Sequence, residues 1–180
     1  MLIEATKLLT FACSPPAELL PWLIYEQSLT DKLKREVGEA KLSVLKQRWN
    51  SPIWWDRFIL DLSPSQLVIH REILMCANDT TCWYARTIIP EHSYQANPGF
   101  FARLKQESLG SIIFNTAAVK RHQMFYYPVN SSSLEYHWCC DFLTERCDYL
   151  WARLSVFSLM KDDPFYLVEI LLPGVIRIRC

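Results

Sequence analysis

Apolar and polar residues alternate most clearly between positions 69 and 90, where two runs rich in β-branched and aromatic residues flank Asn78 and Asp79. Such runs around a residue pair that tolerates left-handed backbone predict a β-hairpin. If these two residues form the turn, counting outward places Arg71 directly opposite Arg86. A four-residue turn would also keep both arginines on one face of the sheet, whereas a three-residue turn would separate them.

Two arginines on one sheet face predict an anion between them, because like charges directly opposite each other in a strand pair are destabilising. The planar guanidinium fork of arginine suits a carboxylate. The anion is then either a carboxylate of the chain or a bound ligand. The alternative is that one arginine extends to solvent at the edge of the sheet.

Before this hairpin, the pattern predicts two helices and a strand, at 15–24, 29–36 and 41–49. Ser14 is the expected N-cap of the first helix, and Pro21 predicts a kink or an early stop inside it. Ser28 is the expected N-cap of the second helix, which should end at Gly38. The next stretch, 50–64, contains turn residues and the pair Trp54-Trp55, which we expect to pack in the core or at a sheet edge.

After the hairpin, the pattern predicts a mixture of loops, helices and strands. We expect loops at 92–98 and 130–133, helices at 99–105 and 108–114, a strand at 119–129, and a last hairpin of strands 151–160 and 164–172. Ser108 is the expected cap of its helix. No pattern assigns the segment from 134 to 147.

Both faces of the last strand are apolar, so we expect it to be central in the sheet. Glu169 shares its face with apolar residues and should be buried. A buried carboxylate must be paired or uncharged, because an isolated buried charge is costly. Glu169 is therefore predicted to pair with one of the two arginines, or to line a pocket that also holds Arg71 and Arg86. The two interpretations are compatible.

Length and composition favour a single domain spanning 1–180, because 180 residues with 51% hydrophobic content can bury a sizeable core. The chain has 19 basic and 19 acidic residues, which argues against nucleic acid as the main partner. No apolar run approaches the roughly 20 residues of a membrane span. The N-terminus has neither a basic region nor a cleavage site, so we expect the start of a mature cytoplasmic protein.

The seven cysteines show no framework spacing, and their number is odd. Cys139, Cys140 and Cys147 lie near His137, but without the paired spacing of a zinc site. Cys76 and Cys82 are predicted to point to opposite faces. We expect reduced thiols. The chain also contains no P-loop, dinucleotide-binding fingerprint or nucleophile elbow.

Several segments together resemble the chorismate lyase (chorismate pyruvate-lyase) family. In order, they are PWLIYEQSLTDKL, REILMCA, ARTIIP, SLGSIIF, LWARLS and FYLVEILLP, and they cover most of the chain from about Pro21 to Pro173. The resemblance implies an α+β fold, with one antiparallel sheet of about six strands, helices packed over it and a buried ligand site beneath helical flaps. It also implies a monomer.

The resemblance also implies an activity. Enzymes of this family release pyruvate from chorismate and leave 4-hydroxybenzoate for ubiquinone synthesis, with no metal or other cofactor. The family's two arginines and its last-strand glutamate match Arg71, Arg86 and Glu169, and two further ligand contacts match Leu29 and Leu109. We expect the two leucines to contribute backbone N–H groups and apolar contact.

Chorismate carries two carboxylates, which would explain two arginines on one face. On this hypothesis Arg71 binds the ring carboxylate, Arg86 the enolpyruvyl side and Glu169 the ring hydroxyl. Whether the enzyme or the substrate moves the proton stays open. Placement and desolvation would supply much of the rate.

The chain departs from the family pattern in two places. The last hairpin usually has two consecutive arginines, whereas here Arg153 is followed by Leu154, and we expect Arg153 to face away from Glu169 in a structural role. The stretch 123–149 is longer than the family's connection and could change the cover of the pocket. Its cysteines and His137 receive no catalytic role.

Two other functions remain open. The same fold serves as the ligand-sensing domain of bacterial transcription regulators, but the lyase-like pattern begins by about residue 21, so we expect no DNA-binding domain ahead of it and favour the enzyme. The chain could also be an inactive homologue that binds the ligand without chemistry.

Overall fold

A six-stranded antiparallel sheet forms the centre of the computed structural model, which describes residues 14–145, 147–160 and 163–178. The strands are β1 (Lys41–Asn50), β2 (Val68–Ala77), β3 (Thr80–Pro90), β4 (Val119–Val129), β5 (Leu150–Leu159) and β6 (Asp163–Leu171). Their order in the sheet is β1-β2-β3-β6-β5-β4. The predicted α+β fold and the central position of the last strand are therefore confirmed. The predicted turn at 161–163 lies partly outside the described residues.

Short helices cover both faces of this sheet. They are α1 (Leu20–Leu23), α2 (Leu29–Val37), α3 (Trp54–Leu60), α4 (Glu91–Ala96), α5 (Pro98–Ala102), α6 (Leu109–Ile113), α7 (Leu134–Cys139) and α8 (Gly174–Arg177). Two 3-10 turns lie at Arg103–Lys105 and Cys140–Phe142. In the described part of the chain, no helix is long and apolar enough to cross a membrane.

The predicted caps of two helices are confirmed. Ser28 Oγ accepts a hydrogen bond from the Asp31 backbone N–H at 3.2 Å at the start of α2, and Gly38 ends that helix with a φ of +91°. Ser108 Oγ accepts from the Ser111 N–H at 3.1 Å at the start of α6. Each cap satisfies one N–H that has no partner within the helix.

Other local predictions are wrong. The first helix begins at Leu20, with Pro21 in its first turn, and Ser14 caps no helix. The segment 92–98, predicted as a loop, contains most of α4, and α7 forms in the segment without an assignable pattern. Of the pair Trp54-Trp55 on α3, Trp55 packs against the core as predicted, whereas Trp54 has 59% of its surface exposed and is not a core residue.

The hairpin of β2 and β3 turns at Asn78 and Asp79, as predicted, and both residues have positive φ. However, a β-bulge interrupts the ladder, because Cys76 pairs with Thr81 while Met75 pairs with Trp83. Cys82 is the extra residue of the bulge. One extra residue moves every later side chain of the strand to the other face.

The predicted alignment of Arg71 opposite Arg86 is therefore wrong. Arg71 pairs with Thr87 and Arg86 pairs with Glu72, so the two arginines lie on opposite faces of the sheet. We call the face of Arg71 the front face and the face of Arg86 the back face. The front face packs under α1, α2, α5, α6 and α8, and the back face packs under α3 and α7.

The back face encloses a polar cluster around Asp56 of α3, which is fully buried. The Asp56 carboxylate accepts a hydrogen bond from the Tyr166 hydroxyl at 2.5 Å and lies 3.1 Å from His70 Nε2 and 3.2 Å from Arg86 Nη2. The guanidinium carbon of Arg86 also lies 4.3 Å from the centre of the Trp138 ring. These contacts attach α3 and α7 to the sheet.

This cluster lowers the pKa of Asp56 below its ordinary value. Burial acts to raise the pKa, but the close contact with His70, the charge of Arg86 and the Tyr166 hydroxyl outweigh burial. Asp56 is therefore ionised in the folded protein and neutralises Arg86.

We expect Asp56→Asn to lower the free energy of unfolding by about 3 to 5 kcal/mol, because Arg86 would remain buried without its counter-charge. Urea denaturation followed by circular dichroism measures the change. Asp141→Asn makes the same substitution at an exposed position and should cost less than about 0.5 kcal/mol. Equal effects of the two substitutions would contradict the role of the cluster.

We also expect the free energy of unfolding to fall in acid because of Asp56. Its folded pKa is lower than its unfolded value of about 3.9, so its stabilisation is present above that pH and is lost as the pH falls through the folded pKa. Denaturation at a series of pH values below about 5 should give a steeper decline for the wild type than for Asp56→Asn. Parallel declines would show that other carboxyl groups dominate.

Candidate active site

A small cavity lies between the front face of the sheet and the helices over it. Its open space is about 20 Å³, which is room for about one water molecule. We call it the front cavity. Its lining residues come from β1, β2, β3, β6, α2 and α6 together with the cap of α6: Leu42; Arg71, Ile73 and Met75; Trp83, Ala85 and Thr87; Leu167 and Glu169; Thr30; and Ser108, Leu109 and Gly110.

Arg71 and Glu169 lie at two corners of the floor of this cavity. On β2, Arg71 pairs with Thr87 of β3. Ala85 lies two residues before Thr87 on β3 and pairs with Glu169 of β6. Strand spacings place the two Cα atoms about 12 Å apart. Ala85 lies between the two corners, and its single methyl group leaves the space above the floor open. Of the three residues predicted to share a pocket, this cavity contains Arg71 and Glu169 but not Arg86.

Arg71 is a buried cation, with 1% of its surface exposed. Its Nε donates to the Leu104 carbonyl at 3.0 Å and its Nη2 donates to the Glu107 carbonyl at 2.9 Å. Both carbonyls belong to the segment that leads into α6, so Arg71 fastens that cover to the sheet. Burial lowers the pKa of Arg71 to about 10, and the group stays protonated at neutral pH.

No carboxylate in the described part of the chain forms an ion pair with Arg71, whose side-chain hydrogen bonds there go to the two carbonyls. A buried charge without a counter-charge is costly. Carbonyl dipoles stabilise the guanidinium only in part. An anionic ligand in the front cavity would complete its neutralisation, and this makes Arg71 the strongest indication of a binding site.

Glu169 does have a counter-charge. Arg153 on β5 is its cross-strand neighbour, and Arg153 Nε lies 2.8 Å from Glu169 Oε2. The expectation that Arg153 faces away from Glu169 is therefore wrong. Strands β5 and β6 pair with Leu159 opposite Asp163, and this register brings the two charges together on the front face. The front face thus holds two buried arginines, Arg71 and Arg153.

The starts of α2 and α6 meet above the cavity. Leu29 and Leu109 are the first residues of these helices, and both are buried. The two starts are in contact, because a Cβ added at Gly110 would lie 3.0 Å from Ser28 Oγ. N–H groups in the first turn of a helix have no partner within the helix and suit a ligand oxygen. Leu109 lines the cavity, and α2 reaches it through Thr30.

Arg86 is not part of this arrangement. Its guanidinium lies on the back face between Asp56 and Trp138, with the whole sheet between it and the front cavity. The structure therefore brings together four of the five predicted site residues: Arg71 and Glu169 on the floor, and Leu29 and Leu109 in the cover. Sequence reasoning misjudged Arg153 and passed over Ala85. The sequence indicates an open position at Ala85 only in that a small residue stands there within a strand of bulky residues.

None of the five cysteines that the structure describes lines the front cavity. Cys82 and Cys139 are buried, and burial raises the pKa of each thiol to about 12. Thiols with a raised pKa are poor nucleophiles at neutral pH. In the ranges that the structure describes, no group of three or more His, Cys, Asp or Glu side chains could hold a metal ion.

Chemically, the front cavity suits a small flat acid. A buried cation can bind a carboxylate, the carboxylate of Glu169 can accept a hydrogen bond from a hydroxyl, and apolar side chains such as Ile73 and Leu167 form part of the walls. The present open space is too small for a ring. A ligand must therefore displace part of the cover formed by α2, α6 and the segment before α6.

Comparison with known sequences gives matches over almost the whole chain. The family model described as "Chorismate lyase" matches residues 4–177. A protein of Hamiltonella defensa named "Chorismate pyruvate-lyase" is 25% identical over 162 residues, which cover 88% of this chain and 80% of the relative. A protein of Aromatoleum aromaticum named "Probable chorismate pyruvate-lyase" is 27% identical over 165 residues, with coverage of 91% and 89%.

Comparison with solved structures gives a likeness of fold. PhnF from Mycobacterium smegmatis matches with a TM-score of 0.61 at 13% identity, covering 82% of this chain and 64% of that one. A GntR-family transcriptional regulator from Enterococcus faecalis matches with a TM-score of 0.53 at 14% identity, covering 74% and 94%. At these identities the likeness shows a shared fold and nothing about the ligand.

Proposed function

Because the chain belongs to the chorismate lyase family, we propose that it is a chorismate pyruvate-lyase, which converts chorismate to pyruvate and 4-hydroxybenzoate in the first committed step of ubiquinone synthesis. The observation that carries the proposal is Arg71, a buried cation without a carboxylate partner among the described residues, in one cavity with Glu169. The product 4-hydroxybenzoate has a carboxylate at one end of a flat ring and a hydroxyl at the other.

In the proposed complex, Arg71 binds the ring carboxylate and Glu169 accepts a hydrogen bond from the ring hydroxyl. The first N–H groups of α2 and α6, at Leu29 and Leu109, contribute further donors from the cover. The apolar walls at Ile73, Met75 and Leu167 contact the ring. Each polar end of the ligand would then meet one polar corner of the cavity.

The reaction breaks the bond between the ring carbon and the ether oxygen of the enolpyruvyl group. A proton leaves the ring carbon that carries the hydroxyl, and the electrons of that C–H bond complete the aromatic ring. The departing enolpyruvate takes a proton at its methylene carbon and becomes pyruvate. Atoms and charge balance without a redox partner. The proton travels through Glu169 or passes directly to the methylene carbon.

In either route, the protein contributes mainly by placement. Closing the cover over the substrate removes water and holds the enolpyruvyl group against the ring in the reactive orientation. The gain in aromaticity makes the step downhill, so the residues of the front cavity need only orient the substrate and stabilise developing charge.

Arg86 has no place in this proposal. It lies on the back face, where Asp56 neutralises it, and a ligand in the front cavity cannot reach it. The enolpyruvyl group is attached beside the ring hydroxyl, so in the proposed pose it lies near Glu169. Arg153, the partner of Glu169, is accordingly the nearest second arginine.

The likeness to transcriptional regulators supports a second candidate function. In it, the front cavity binds an aromatic carboxylate without chemistry. The same residues would bind the ligand, because a buried arginine and a buried carboxylate serve recognition as well as catalysis. Turnover separates the two functions.

We expect the purified protein to release pyruvate and 4-hydroxybenzoate from chorismate in equal amounts, above the spontaneous rate. A coupled dehydrogenase assay measures pyruvate, and chromatography measures 4-hydroxybenzoate. If neither product forms but 4-hydroxybenzoate raises the melting temperature, the protein is a binder and the lyase proposal fails. If the ligand causes no shift either, the assignment of the front cavity is wrong.

We expect Arg71→Ala to lower kcat/KM about a hundredfold or more, because it removes a charge-assisted hydrogen bond to the ring carboxylate worth about 3 kcal/mol. Steady-state kinetics measures the loss, and circular dichroism checks the fold.

Arg86→Lys is the matched control for Arg71→Ala, because it alters a buried arginine of the same hairpin on the other face. It should lower the melting temperature and change kcat/KM less than about threefold. Wild-type kinetics for Arg71→Ala, or an equal loss in both variants, would contradict the proposed site.

A further inference from the structure

Arg153 makes contacts to two different parts of the site with one guanidinium. Its Nε lies 2.8 Å from the Glu169 carboxylate. Its Nη1 donates to the Trp22 carbonyl at 2.8 Å and to the Tyr25 carbonyl at 2.9 Å. Only 2% of Arg153 is exposed. The side chain is therefore enclosed between the sheet and the segment that holds these two carbonyls.

The two carbonyls belong to the cover. Trp22 lies in α1, and Tyr25 lies just after α1, three residues before Ser28, the N-cap of α2. Carbonyls at the end of a helix lack partners within the helix, so a cationic donor there stabilises the helix end. The same segment continues into the start of α2, which meets α6 above the front cavity.

A guanidinium group is planar and rigid. If the α1–α2 segment moves to admit a ligand, the carbonyls that orient Arg153 move with it. The Nε contact to Glu169 must then change as well. One side chain thus contacts both the cover and the Glu169 carboxylate.

We propose that Arg153 is a positioning residue for the lyase reaction, holding the Glu169 carboxylate and the α1–α2 cover together, so that closing the cover also aims the carboxylate. This inference rests on the proposed function. It differs from the role expected of Arg153 from the sequence, which was structural and independent of Glu169.

Arg121 on β4 offers a matched control. Its Nη1 donates to the Glu26 carbonyl, in the same connecting segment, and its guanidinium packs over the rings of Phe114 and Phe157. Within the described ranges, Arg121 makes no ion pair with Glu169. Arg121 therefore anchors the same part of the cover without contacting the carboxylate, and it acts on Glu169 only through its charge.

The experiment is a double-mutant cycle on Arg153 and Glu169. It compares the wild type, Arg153→Gln, Glu169→Gln and the double variant. A second cycle replaces Arg153→Gln by Arg121→Gln. Calorimetry measures the Kd of 4-hydroxybenzoate, which needs no turnover, and steady-state assays with chorismate measure kcat/KM. Circular dichroism and melting temperature report folding.

If Arg153 acts through Glu169, the two substitutions are not additive. Arg153→Gln should lower kcat/KM about a hundredfold when Glu169 is present, since a misdirected group at the reacting centre can cost that much. In the Glu169→Gln background, Arg153→Gln should change both kcat/KM and Kd by less than about threefold. Arg121→Gln should couple to Glu169→Gln far more weakly than Arg153→Gln does, because the charge of Arg121 acts on Glu169 without an ion-pair contact.

Additive effects of Arg153→Gln in both measurements would overturn the inference, because they would show that Arg153 only stabilises the fold. If Arg153→Gln does not fold, Arg153→Lys takes its place in the cycle. Lysine keeps the charge but cannot contact the carboxylate and both carbonyls in one plane. Non-additive effects of Arg153→Lys and Glu169→Gln would therefore support the inference, and additive effects would overturn it.

Failure of the proposed function is a separate result. A wild type that binds 4-hydroxybenzoate but releases no pyruvate refutes the lyase, while the cycle in Kd still tests the coupling. A wild type that turns over chorismate with additive effects refutes only the role of Arg153. A wild type that neither binds nor reacts refutes both.

Discussion

The extra residue at Cys82 determines which charges each face of the sheet must bury. Without the bulge, the hairpin would place Arg71 and Arg86 on one face as an uncompensated pair. With it, Arg86 turns to the back face and Arg71 remains on the front. A shift of one residue in register thus separates a structural arginine from a candidate functional one, because strand side chains alternate between faces.

The two faces stabilise their buried arginines differently. On the back face, the Asp56 carboxylate neutralises Arg86 and accepts a hydrogen bond from Tyr166, so the charge is internally compensated and ties α3 to the sheet. On the front face, Arg71 contacts carbonyl oxygens. Carbonyl dipoles compensate a buried cation less fully than a carboxylate does. The front face therefore keeps the charge that an anionic ligand would neutralise.

The two buried arginines of the front face hold the cover through backbone carbonyls. Arg71 fastens the segment before α6, and Arg153 fastens the end of α1 and the segment that follows it. The helices involved are short, and short helices owe their stability to such tertiary contacts. A ligand that competes for either guanidinium would loosen the cover, which connects binding at the floor with opening above it.

The sequence by itself determined the local features of this protein: the turn at Asn78-Asp79, the caps of α2 and α6, most strands and the burial of Glu169, since turn chemistry, capping and two-residue alternation are properties of neighbouring residues. Tertiary structure alone decided that Arg71 and Arg86 lie on opposite faces and that Arg153 meets Glu169. Bulges and strand registers depend on partner strands far along the chain, and no local pattern specifies them.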